Sequence, residues 1–195
     1  MTAAGYGDAW IDETAHAICN TLNQITGHFG QKADYRNGPW TRQILTRLAK
    51  LGKKQNRHEN GAGIWVYASK TDAETETSPS VADGGEWLFD LCWLDYAGRD
   101  TWAQLRTVPL VAEIEWGNQG DIIDDFQKLV LARARLRLMI FAASSRAAVI
   151  ELFDKLMRFA DEFGDQEQND RYLLCGYDAE KGQFIFKMPD RTISP

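Results

Sequence analysis

Three acids stand where strand alternation would let them meet: Asp90 in EWLFDLCWLDY, and Glu113 and Glu115 in PLVAEIEW. Both segments read as strands, rich in aromatic and β-branched residues, and successive strand side chains point to opposite faces. Glu86, Leu88, Asp90, Cys92 and Leu94 then share one face of a strand over 86–96, while Val111, Glu113 and Glu115 share one face of a strand over 109–116. If the strands pair, the three acids converge. Carboxylates crowded in partly desolvated surroundings repel one another unless a cation neutralises them. A hard divalent ion meets that need: Mg²⁺ (or Mn²⁺) takes one or two carboxylates together with waters and a substrate phosphate. Spacing alone also allows a solvated acidic face.

The surrounding sequence predicts the elements that hold these strands. A helix over 12–25 carries Ile18, Leu22 and Ile25 at helical spacing, and a second over 39–52 starts at Pro39 and carries Trp40, Ile44, Leu45, Leu48 and Leu51 as an apolar stripe. A short strand over 64–68 is followed by a polar loop over 70–85, and the connector after the 86–96 strand contains a candidate helical turn, TWAQLR. Beyond the 109–116 strand come a helix over 121–134 with an acidic first turn, a strand over 135–143, and a helix capped by Ser144 or Ser145 that runs to Phe163. A hairpin of strands over 171–177 and 183–187 ends the chain. This order gives an α/β sandwich with a central mixed sheet flanked by helices. The expectation is a single domain over 1–195, with an N-terminal helical extension (1–38), a core (39–143) and a C-terminal helix and hairpin (144–195).

The series Asp90, then PLVAEIEWGN with its Glu113-Ile114-Glu115, then IIDDFQKL, resembles the core of the PD-(D/E)XK, restriction-endonuclease-like nucleases. The likeness covers residues 39–143 in element order: helix, three strands, helix, strand. Glu115 stands where that family has its lysine, as in the E-x-E, BamHI-like variant, so no general base is assigned. The resemblance implies a restriction-endonuclease-like fold and metal-dependent hydrolysis of DNA phosphodiester bonds. It implies that Asp90, Glu113 and the Ile114 carbonyl ligate Mg²⁺, and that Glu115 binds or orients the attacking water. Glu86 is an additional candidate for a second metal, although it would lie about 13 Å from Asp90 along an extended strand.

Other residues are weighed against plainer readings. Gln127 and Lys128 read as solvent-facing beside buried Ile122, Phe126 and Leu129, with Lys128 kept as an additional site candidate. Arg42, Arg47, Lys50 and Lys54 put cations on one helix with no balancing acid, which suits contact with a phosphate backbone. Arg133, Arg135 and Arg137 alternate at a strand start, as on a solvated edge. His16, His28 and His58 lack metal-ligand spacing. Trp87, Trp93 and Trp116 fit a core, while Trp40 or Trp102 could stack on a base.

The net charge of 22 − 28 = −6 argues against coating nucleic acid by overall charge. The window from Lys32 to His58 nevertheless carries eight cations against Asp34 alone, or +7. No membrane span or secretory leader is evident, and three widely spaced cysteines suit free thiols in the cytoplasm. The expected partner is nucleic acid, double-stranded DNA under the resemblance, with no membrane and a homodimer as the candidate assembly. An inactive nuclease-fold protein serving as a binding or assembly subunit is the alternative function. An acidic α/β interaction domain is the third.

Overall fold

Six strands, β1 (Gly63–Ala68), β2 (Leu91–Tyr96), β3 (Leu105–Glu115), β4 (Leu136–Ala143), β5 (Tyr172–Asp178) and β6 (Gln183–Lys187), lie side by side in chain order in one sheet. The computed structural model describes residues 6–29, 38–55, 62–69, 71, 82–98, 103–164 and 170–188, with only the backbone at 27–29. β1, β2 and β3 form an antiparallel meander; β4 and β5 then run parallel to β3, and β6 returns antiparallel.

A parallel neighbour requires a crossover, and α3 (Gln119–Leu131) and α4 (Arg146–Glu162) supply the two that occur. Successive crossovers of one hand, advancing in one direction, leave both helices on the same face. There Ile122, Phe126 and Leu129 of α3 and Val149, Phe153 and Leu156 of α4 pack on Cys92, Val111, Met139 and Leu174. The opposite face takes α1 (Asp8–Phe29) and α2 (Gly38–Lys54), whose Ile18, Leu22, Ile44 and Leu48 cover Leu91, Trp93, Ala112, Ile114 and Leu138. The result is three layers around one mixed sheet, as the periodicities predict.

Local chemistry sets the boundaries. Asn118 caps α3: its side chain accepts from Gly120 and Asp121, and the Asp121 carboxylate returns to the Asn118 N–H, a reciprocal box. Ser145 accepts from the Ala148 N–H at the start of α4. Asp178 Oδ1 accepts from the N–H groups of Glu180 and Lys181, and Gly182 at φ 68° completes the β5–β6 turn. The C-terminal hairpin thus extends the same sheet as the core strands.

Several sequence expectations change. The strand expected over 86–96 begins only at Leu91, because Leu88 sits at φ 67° and breaks the extended run. β3 begins at Leu105, so the last two residues of the expected helical turn, Leu105 and Arg106, are strand, and Ala103 and Gln104 before them are irregular. α1 starts at Asp8, where Arg171 pairs with Asp8 (3.1 Å) and Asp12 (2.7 Å). Trp40 is buried between Tyr177 and Phe184 and so is closed to a base, while Trp87, expected in the core, is exposed. Arg137, read as a solvated edge, is buried and donates from Nε to the carbonyls of Leu129 and Ala132, 3.0 Å each. Trp102, His58, Lys32, Arg36, Arg57 and most of the 70–85 loop lie outside the described residues.

Candidate active site

The β2–β3 ladder pairs Leu91 with Ala112, so one step further Asp90 stands beside Glu113. Two hydrogen bonds fix Asp90: Oδ1 accepts from the Ser69 hydroxyl (2.8 Å) and Oδ2 from the Ile114 N–H (3.1 Å). The Ser69 N–H also donates to the Asp90 carbonyl (2.9 Å), tying the end of β1 to the start of β2. Two strand ends therefore position one carboxylate before any ligand arrives.

Glu113 is on the α3 side of β3 and only 4% exposed. Burial, then the charges of Asp90 and Asp125, push its pKa from the ordinary 4.5 up to about 8, against the opposing pull of Lys128 and a backbone hydrogen bond from Asp90. Its Oε1 is buried with no hydrogen-bond partner among the described residues; the Lys128 ammonium is 3.6 Å away. The acid is thus short of cationic partners, the condition under which a carboxylate binds a proton or a metal ion.

Lys128 comes from α3, where helical spacing brings Asp125 and Lys128 onto one face. Its Nζ donates to Asp125 Oδ1 at 2.7 Å. That hydrogen bond, ahead of the nearby charges of Glu113 and Asp125, raises the ammonium pKa, so it stays charged. Lys128 is both solvent-facing, with 54% of its side chain exposed, and close to Glu113, so the surface reading and its place as an additional site candidate hold together. Asp125 and Ser69 were not singled out in the sequence. Their only signals were the three-residue step from Asp125 to Lys128 and the position of Ser69 at the end of a strand.

Glu115 follows two residues after Glu113 on the same strand, but its Oε1 accepts from the Gly117 N–H. A Cβ at Gly117 would lie 2.5 Å from Asp121 Oδ2 and 2.8 Å from Glu115 Oε1, so a side chain there would displace both carboxylates. Glu115 therefore closes the turn into α3, whereas the charges acting on Glu113 are those of Asp90, Asp125 and Lys128. Glu86 is exposed in the irregular segment before β2, so the alternation that put it on the face of Asp90 does not apply. Cys92 is buried, its thiol pushed up to about 12 mainly by burial, and it donates to the Trp87 carbonyl (3.0 Å).

The basic residues of α2 lie in the other layer. Arg42, Lys50 and Lys54 are exposed and Arg47 is half-buried, while Lys53 pairs with Asp83. Thr41 Oγ1 accepts from the Trp116 indole (2.7 Å), so Arg42 is next to the residue that ties α2 to the end of β3.

Among the described residues no group of three or more His, Cys, Asp or Glu side chains is arranged to hold a metal ion. Two carboxylates with a buried, unbonded oxygen still suit an ion that takes one or two acids and fills its shell with water, as Mg²⁺ does. Among those residues no helix is long and apolar enough to cross a membrane. No protein-family model matches the chain, and neither does any curated protein or solved structure.

Proposed function

We propose that the chain is a metal-dependent nuclease that hydrolyses DNA phosphodiester bonds on a restriction-endonuclease-like scaffold. The observation that carries this reading is half-buried Asp90 beside buried Glu113, with the Lys128 ammonium 3.6 Å from Glu113. The element order supports it: α2, then β1, β2 and β3, then α3, then β4, the order of helix, three strands, helix and strand on which the resemblance rests.

Asp90, Glu113 and the Ile114 carbonyl would hold Mg²⁺ or Mn²⁺, which when bound neutralises phosphate charge and acidifies a bound water. The remaining work falls to side chains. Lys128, fixed by Asp125, supplies the cation absent from the strand and faces charge that builds on a scissile phosphate. Ser69 holds Asp90 in a single orientation. Glu115, spent on Gly117, positions the β3–α3 turn rather than a water. Arg42, at the β3 end of α2, is the first cation of that helix that a phosphate backbone leaving the site would meet.

A second reading has its own support. Lys128 already compensates part of the charge on Glu113, and a protonated Glu113 needs no metal, as suits an inactive nuclease-fold binding or assembly subunit. Thermal unfolding with and without Mg²⁺, run beside cleavage of plasmid and short duplexes, separates the two. The nuclease reading expects Mg²⁺ to raise the Tm of the wild type, and Asp90→Ala and Glu113→Ala each to lose both that rise and cleavage. No metal effect on any variant would leave the subunit reading.

A further inference from the structure

At the end of the sheet away from Asp90 and Glu113, a cleft of about 650 Å³ opens between the start of β3, the turn after α3 and Phe163 at the end of α4. Small-ligand sites are commonly about 300–1,000 Å³. Four arginines border this one, and they are not equivalent. Arg137 is buried, with Nη1 2.9 Å from Asp170 and the guanidinium 5.3 Å from the centre of the Tyr172 ring. It also binds the carbonyls of Leu129 and Ala132, which end α3. A helix C-terminus repels anions, and Arg137 cancels that repulsion at the floor of the cleft.

Arg106 donates to Asp95 at 2.7 Å. Arg133 and Arg135 differ: neither has an ion pair among the described residues, the first exposed and the second half-buried. With Arg106 set against Asp95 and Arg137 against Asp170, the described lining keeps two uncompensated positive charges in a chain of net charge −6. A guanidinium is a planar fork of donors that matches phosphate oxygens. Leu105, Val108 and Phe163 add apolar surface beside it.

We propose that this cleft binds a phosphate-bearing ligand, with Arg133 and Arg135 as its anion contacts. The phosphate belongs either to a free mononucleotide or to a nucleic-acid backbone. The proposal does not rest on the nuclease reading, because the cleft and the acid pair are at opposite ends of β3.

The test measures affinity of the full chain for AMP and for a short DNA oligonucleotide in the wild type, Arg133→Glu, Arg135→Ala and Glu113→Gln. Arg133→Glu changes an exposed side chain and should leave Tm unchanged, so it remains informative even if Arg135→Ala does not fold. Each arginine variant should weaken binding about tenfold or more, the effect of losing a charged hydrogen bond. Weaker AMP binding supports the proposal with a free nucleotide as the source. Weakening confined to the oligonucleotide, with a flatter salt dependence, supports it with the backbone as the source. Equal affinity in wild type and Arg133→Glu, or no binding of either probe, would overturn it. So would equal weakening by Glu113→Gln, which would assign the binding to the acid pair.

Discussion

Asp90 stands beside Glu113 across the β2–β3 ladder, and its Oδ2 accepts from the N–H of Ile114, the residue after Glu113. One acid is thereby satisfied by hydrogen bonds while its neighbour, buried against α3, is left with an unbonded oxygen. Burial leaves Glu113 holding its proton above the ordinary carboxyl range, and the pH dependence of the protein should follow from it.

Without metal, the folded chain holds the Glu113 proton up to a pKa of about 8, against the ordinary 4.5 of an unfolded carboxyl. The folded state therefore binds more protons between those values, so stability falls as pH rises. The contribution is full below pH 4.5 and lost as pH passes through about 8. Glu113→Gln stays neutral and should match the wild type at the acid end, then exceed it by several degrees in Tm above the window. Melting curves across that range check this; parallel curves for the two proteins would show that Glu113 is not the titrating group.

Lys128 lowers the pKa of Glu113, so Lys128→Met should move the acid limb of any cleavage profile to higher pH. Removing a cation that faces the transition-state charge should also reduce the rate by about 10²-fold. Lys128→Arg keeps the charge and should hold the acid limb in place. A rate loss with an unmoved limb in Lys128→Met would separate Lys128 from Glu113.

The cations of α2 stand on the opposite layer from Glu113, so their role is separable from chemistry. Arg47→Ala with Lys50→Ala should weaken nucleic-acid binding alike for all sequences and flatten its salt dependence by about two in slope. Affinity across a salt series is the measurement. An unchanged slope would make this face a solvated one.

Helix and strand order could be read from the sequence because each amphipathic stripe, such as Trp40, Ile44, Leu45 and Leu48, is periodic over several turns. The pairing of Asp90 with Glu113 could be read too, since alternation fixes the face once two strands are neighbours. What escaped were features that depend on a third element. The apolar run Trp87-Leu88-Phe89 has strand composition, yet it turns at Leu88 before β2 begins. Arg137 has the pattern of an exposed edge, yet it is buried because the last carbonyls of α3 need a donor. Asp125 and Lys128 look like an ordinary helical ion pair until β3 places Glu113 against them.

Gly52 marks the closest approach of α2 to the sheet. A Cβ there would lie 2.6 Å from Cε2 and Nε1 of Trp93 and 2.9 Å from Cγ2 of Val66. Trp93 is fully buried and cannot swing aside. Gly52→Ala should therefore cost about 1–3 kcal/mol despite the better helix propensity of alanine. Denaturant unfolding reads the loss. A stabilised Gly52→Ala would mean that α2 shifts outward at no cost.

Leu88 raises the opposite case, because its strain lies next to the site. At φ 67° and 72% exposed, its side chain gains little from burial while its backbone occupies a region unfavourable to L residues. Leu88→Gly should relieve about 1 kcal/mol of that strain, partly offset by the greater freedom of glycine in the unfolded chain. The turn is not idle: the Trp87 carbonyl accepts from Cys92 Sγ (3.0 Å), and Asp90 follows two residues after Leu88. A looser turn would let Asp90 wander from the Ser69 hydroxyl and the Ile114 N–H. The expected result is a Tm equal to or above that of the wild type, with a smaller Mg²⁺-induced rise and slower cleavage. Unchanged metal response and rate in Leu88→Gly would show that the β1–β2 and β2–β3 hydrogen bonds alone hold Asp90 in place.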